Sequence, residues 1–217
     1  MRSIVVLEAI VLSYLFCAAS SAQPSPATST SKSFDELFRQ AHHAAAAFTT
    51  LTARFTETTT SSLLSRPIVA HGILAVERPS RAVLRFTDPD PRVVLIDGNR
   101  MTMIWPSRNL RRVSNVESSQ SRIQKYIETD SPAELLRQFD VDLSDRSEWP
   151  GTYEVTLIPK RKQVRDTLTR LDLWIGRSSF LLSAIRMTFA NGDTKTMTFE
   201  DVAQNPTLDA GTFSVDR

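Results

Sequence analysis

The sequence predicts an α+β, mainly β protein built on one large antiparallel sheet, and three observations predict it. Short runs of alternating apolar and polar residues recur from Thr52 to Glu200, which is the two-residue period of half-buried strands. Tight-turn signals separate several of these runs, Asp97-Gly98 and Asn191-Gly192-Asp193 among them, and short connections imply antiparallel neighbours. Only two segments carry a helical period, so roughly ten or eleven strands stand against two helices.

Residues 1–22 read as a secretory signal: Arg2 supplies the positive start, an apolar run follows from Ile4 to Ala19, and Ser20-Ser21-Ala22 offers small residues for cleavage. Cleavage is expected after Ala22. Glu8 interrupts the run, and because the run approaches the ~18 residues of a membrane span, an uncleaved N-terminal anchor is the alternative. Cys17, the sole cysteine, follows Phe16 instead of the small residue a lipidation signal needs, so neither lipidation nor disulfide chemistry is expected. Residues 23–33, rich in Pro, Ser, Thr and Ala, read as a disordered leader. Ser33 and Glu36 then form a capping box, and Phe34, Leu37, Phe38, Ala41, Ala45 and Phe48 follow as one apolar stripe, with His42 and His43 off it.

From Thr52 the period changes to two. Strands are expected at the β-branched run Thr56–Thr60, and at Val69–Arg78, Arg81–Thr87, Arg92–Ile96, Arg100–Trp105 and Asn109–Val113. In the second and third of these, Leu74, Val76, Ala82, Leu84 and Phe86 make one apolar set. Asn115–Asp130 is polar and reads as a mobile loop. Ser131 and Pro132 start a second helix, Glu134 closes another capping box, and Leu135, Leu136 and Phe139 make its apolar face. Alternation then resumes around Tyr153, Val155 and Leu157, around Leu171, Leu173 and Ile175, around Ile185, Met187 and Phe189, and around Met197 and Phe199. The polar sets predict one face of the sheet in water. The apolar set exceeds what two short helices can cover, which points to a cavity, although a curled sheet can also fill itself with side chains.

At 217 residues the chain is long enough for one domain, and 41% hydrophobic residues allow a core. A net charge of +2 with scattered basic residues excludes a nucleic-acid partner. No glycine-rich phosphate loop, nucleophile elbow or zinc spacing occurs. His42 and His43 are adjacent on a helix and cannot share a metal, and His71 reads as an exposed strand residue. Asp88 and Asp90 flank Pro89 as a turn, while Arg108, Arg111 and Arg112 read as a solvated edge that discourages strand pairing. No catalytic residue, metal or cofactor is therefore expected, and the chain does not read as an enzyme. Met101 and Met103 suit a surface that adapts to varied apolar shapes, and suit a core equally well. Arg78 shares the parity of Leu74 and Val76. Its five donors need partners if buried, so it is either a latch on helix-end or loop carbonyls, or a rim arginine that snorkels to water.

These residues resemble the LolA family, periplasmic carriers of outer-membrane lipoproteins in Gram-negative bacteria. The likeness runs from about Phe34 to the C-terminus. It rests on Gly72-x-Leu74-x-Val76-x-Arg78-Pro79, Pro89, Asp97-Gly98, the segment Asn191-Gly192-Asp193-Thr194 through Phe199, Asn205-Pro206 and Phe213. The resemblance implies an unclosed antiparallel β-barrel, a half-barrel of about 11 strands, with helices at 34–48 and 132–139 as a lid over an apolar concave face. It makes 34–217 the lipid-binding domain. Leu74, Val76, Ala82, Leu84 and Phe86 would line the lipid cavity, joined by Met101 and Met103 as candidate contacts, and Arg78 would gate the lid. Two departures bear on cargo: Ala82 and Leu84 stand where the family carries bulky aromatics, and Thr102 replaces its Trp, with Trp105 three residues later. The implied partners are lipoprotein acyl chains or another lipid, an inner-membrane lipoprotein-releasing transporter and an outer-membrane acceptor. The implied carrier is a monomer in the periplasm. A carrier of a different lipid, or a lipid-responsive periplasmic regulator in the same fold, is the alternative.

Overall fold

A computed structural model describes residues 29–115 and 131–214. The expected signal segment, the leader up to residue 28 and the loop expected after Asn115 lie outside the described residues. The elements are α1 (Ser29–Ala46), β1 (Thr50–Thr60), β2 (Ile68–Glu77), β3 (Arg81–Asp88), β4 (Arg92–Asp97), β5 (Arg100–Trp105), β6 (Leu110–Asn115), α2 (Pro132–Gln138), β7 (Phe139–Ser144), β8 (Thr152–Pro159), α3 (Lys162–Arg165), β9 (Leu168–Gly176), β10 (Leu182–Phe189) and β11 (Thr194–Gln204). The strands form one 11-stranded antiparallel sheet in the order β6-β5-β4-β3-β2-β1-β11-β10-β9-β8-β7.

Two hairpin arms meet where β1 pairs with β11. The edges, β6 and β7, are consecutive in the chain, which therefore passes from one edge to the other within residues 116–138. Apolar residues from β5 through β1 and from β11 through β7 join α1 and α2 in a single buried cluster. One face of the sheet thus curls around a common core, giving an open half-barrel with its helices on the concave side, as expected.

Register fixes which side chains share that face, because a one-residue slip would turn every side chain over. Across the first arm, Leu51, Val76, Ala82, Ile96 and Met101 stand side by side, as do Ala53, Leu74, Leu84, Val94 and Met103. Across the second arm, Val155, Leu173, Ile185 and Met197 form the corresponding row. Gly72 is required where it stands. A Cβ there would lie 2.4 Å from both the Arg85 carbonyl oxygen and Cζ of Phe55. Phe55 fills the space over the glycine and meets Phe86 edge-on, with ring centroids 4.8 Å apart. Gly72→Ala is expected to destabilise by about 1–3 kcal/mol through overpacking, a fall in Tm of about 2–12 °C for a domain of this size, measurable by thermal unfolding.

Four features differ from the sequence expectations. α1 starts at Ser29, so Ser33 and Glu36 lie within the helix and form no cap; once the stripe is docked, extending a helix by a turn costs little. Phe139 belongs to β7 and not to the second helix, because Phe139, Val141 and Leu143 alternate with Asp140, Asp142 and Ser144 and pair with β8. The short α3 breaks the chain between β8 and β9. The outer face is not uniformly wet: Ala75, Val83 and Leu95 form a small second cluster capped by Phe213. Arg85 holds that cap by donating to the carbonyls of Thr212 and Ser214, at 2.9 and 2.8 Å.

The second arm also covers part of its outer face. Trp149 packs edge-on against the fully buried Trp174, with centroids 4.2 Å apart. Arg186 stacks over Trp174 and donates twice to the Glu148 carboxylate, at 3.0 Å each. The hydrogen bonds from Arg186 hold the Glu148 carboxyl below the ordinary glutamate range.

Candidate functional site

The concave face is the candidate site, and α1 decides whether it is open. The helix carries Phe34, Leu37 and Ala45 into the central cluster, with Phe48 just beyond its C-terminus. The first helix therefore covers the concave side and does not lie on the convex one. α2 adds Leu135 beside it.

All seven apolar residues singled out by sequence lie on this one face. Leu74 and Val76 come from β2, Ala82, Leu84 and Phe86 from β3, and Met101 and Met103 from β5; none is more than 4% exposed. They pack against one another and the lid, and the apolar cleft at Leu51, Ala53, Leu74, Leu181, Leu182, Phe199 and Val202 measures about 20 Å³. That volume suits a single water molecule, not a hydrocarbon chain. Trp105 continues the Met101 and Met103 side of β5 and is partly buried against the core. Thr102 points to the outer face, opposite Leu95.

Arg78 follows β2 and is half-buried at the rim. Its Nη1 donates to the carbonyl of Ala45, in the last turn of α1. Its guanidinium sits 5.7 Å from the centroid of Phe48, and its backbone N–H donates to Thr49 O at 2.8 Å. The two ends of an α-helix leave carbonyls and amides without intrahelical partners, so an arginine is well suited to bind the C-terminal one. Of the two sequence readings, the arrangement matches the bond to a helix-end carbonyl.

A second clasp holds the same joint and was missed from sequence. Asn205 accepts from the Thr49 N–H at 2.8 Å, its amide donates to Ala47 O at 3.4 Å, and Thr50 Oγ1 donates to Pro206 O at 2.8 Å. Asn205 has a positive φ of 54°, a conformation asparagine tolerates better than most residues. The Asn205-Pro206 pair was the available signal. The segment between lid and sheet is thus gripped by Arg78 on one side and Asn205 on the other.

The other polar residues behave as local structure. His71 lies on the outer face with Nδ1 3.1 Å from Thr56 Oγ1. It sits in an outer hollow of about 350 Å³ shared with Arg54, Ile73, Thr87 and Glu200. Asp90, in the turn between β3 and β4, pairs at 2.9 Å with Arg108, in the turn between β5 and β6. His42 stacks on Phe38, with centroids 6.4 Å apart. Among the described residues, no group of three His, Cys, Asp or Glu side chains is placed to hold a metal.

The profile of the family described as outer membrane lipoprotein carrier protein LolA matches residues 46–216. An outer-membrane lipoprotein carrier protein of Pseudomonas entomophila (strain L48) is 23% identical over 167 residues, covering 77% of each chain. One of the same description from Dechloromonas aromatica (strain RCB) is 28% identical over 171 residues, covering 76% of each. An uncharacterized conserved protein of Thermus thermophilus has a similar fold, with a TM-score of 0.56 at 9% identity over 85% of this chain and 94% of its own.

Proposed function

Because the chain belongs to the LolA family, we propose that it is a soluble periplasmic carrier for outer-membrane lipoproteins. It shields their acyl chains and passes them from an inner-membrane transporter to an outer-membrane acceptor. One observation carries the reading: an apolar surface running across both arms of the sheet is covered by a helix whose end is held at a single joint. Among the described residues no helix is long and apolar enough to cross a membrane.

Magnitudes fit a reversible device. An acyl chain of ~16 carbons exposed to water costs roughly 12 kcal/mol at ~0.8 per methylene. Lifting Phe34, Leu37 and Phe48 off the core costs roughly 1.5–3 kcal/mol each, or about 5–9 together. Cargo burial therefore outweighs lid displacement by a small margin. A carrier needs that margin, since it must also give the cargo up to a more apolar acceptor without an energy source of its own. When the lid lifts, the apolar rows of the concave face become available to the acyl chain.

Mass spectrometry of the native protein drawn from periplasm tests this. Acylated proteins or lipids are the expected companions. A protein that carries neither, and that fails to bind a neutral fluorescent apolar probe, would overturn the reading.

A further inference from the structure

A buried polar cluster stands on the concave face among the described residues. Glu57, Arg92 and Lys195 share the parity of the apolar rows: Glu57 stands opposite Met197 and Ala70, Arg92 opposite Phe86, and Lys195 two residues before Met197. Their side chains are 4%, 11% and 7% exposed. Lys195 Nζ approaches Glu57 Oε1 at 3.0 Å and Arg92 Nη2 approaches the same oxygen at 3.2 Å. The Arg92 guanidinium also lies 3.4 Å from the centroid of Phe86, one of the residues expected to touch cargo. Glu57 Oε2 is buried and has no hydrogen-bond partner.

Buried ion clusters contribute little net stability compared with apolar side chains of the same volume. This one interrupts an apolar face where such side chains would pack. It offers two cations to an anionic oxygen and, in Glu57 Oε2, an acceptor awaiting a donor. We propose that the cluster receives the polar head of a phospholipid whose tails lie along the apolar rows. Phosphate oxygens accept from Lys195 and Arg92, and a head-group ammonium or hydroxyl donates to Glu57 Oε2. Charge-assisted bonds in a water-poor setting favour a phosphate over a neutral ester at this point. The proposal rests on the carrier reading and extends it to a second cargo class, since acyl chains alone leave the cluster unanswered.

The test displaces a bound neutral probe, N-phenyl-1-naphthylamine, with short-chain phosphatidylethanolamine, with diacylglycerol of the same tails, and with inorganic phosphate. The phospholipid is expected to displace the probe at a concentration at least tenfold below that of the diacylglycerol. Lys195→Met should erase that preference while leaving the diacylglycerol curve in place, and Glu57→Gln should weaken phosphatidylethanolamine in particular. Equal potency of the two lipids in the wild-type protein overturns the proposal, whether or not the variants fold. Loss of the phospholipid preference in millimolar inorganic phosphate would make the cluster a phosphate site and overturn the lipid-head assignment. A wild-type protein that binds no probe would instead sink the carrier reading itself.

Discussion

Arg78→Leu is expected to slow the handover of lipoprotein to acceptor membranes at least tenfold and to raise the loaded fraction of the purified protein. The argument starts from one bond. Arg78 donates to the Ala45 carbonyl at the end of the lid helix and lies against Phe48. A hydrogen bond from a charged donor contributes about 1.5–3 kcal/mol, which is roughly 10–100-fold in the ratio of closed to open lid. Leucine keeps the apolar stem beside Phe48 and removes the donors, so the fold loses little while the closed state loses its tether. A lid less inclined to close retains cargo longer. Arg78→Lys keeps the charge but not the planar fork, and should fall between the two. Transfer rates from loaded protein to vesicles measure the effect. A leucine variant that releases cargo at the wild-type rate would remove Arg78 from the mechanism.

Much of this site is legible in the sequence because a strand displays its own burial pattern. Leu74 and Val76 in one run, and Ala82, Leu84 and Phe86 in the next, stand at alternate positions, and the pairing of β2 with β3 follows from the short turn between them. Arg78 could be singled out on parity alone, but its acceptor could not, since Ala45 lies 33 residues away. β7 escaped because its alternation is brief and two of its outward residues, Asp140 and Asp142, look like loop chemistry. The start of α1 escaped because Ser33 is a good cap in isolation, whereas tertiary docking decides where the helix begins. The Glu57, Arg92 and Lys195 cluster escaped for a different reason. Its members come from β1, β4 and β11, and only the tertiary pairing of those strands brings them together. Lid coverage has no sequence signature at all, because an apolar face looks the same whether it meets a ligand or its own helix.

Leu84→Glu and Leu95→Glu separate the two faces of the same sheet. Both leucines are buried, but Leu84 stands between Leu74 and Val94 in the concave row, while Leu95 stands on the outer face in the cluster beneath Phe213. A carboxylate placed at either position loses its hydration without gaining a partner, which costs several kcal/mol, so both variants should melt earlier than the wild type. Their loading should differ. Leu84→Glu puts the charge in the middle of the surface that acyl chains cover, and lipid co-purification and apolar-probe binding are expected to fall at least tenfold. Leu95→Glu disturbs only the small outer cluster of Ala75, Val83 and Leu95, away from the concave face, so the folded fraction should load normally. Leu84→Met, which keeps volume and polarity, should also load. Normal loading by a folded Leu84→Glu protein would mean that cargo lies elsewhere than the concave face.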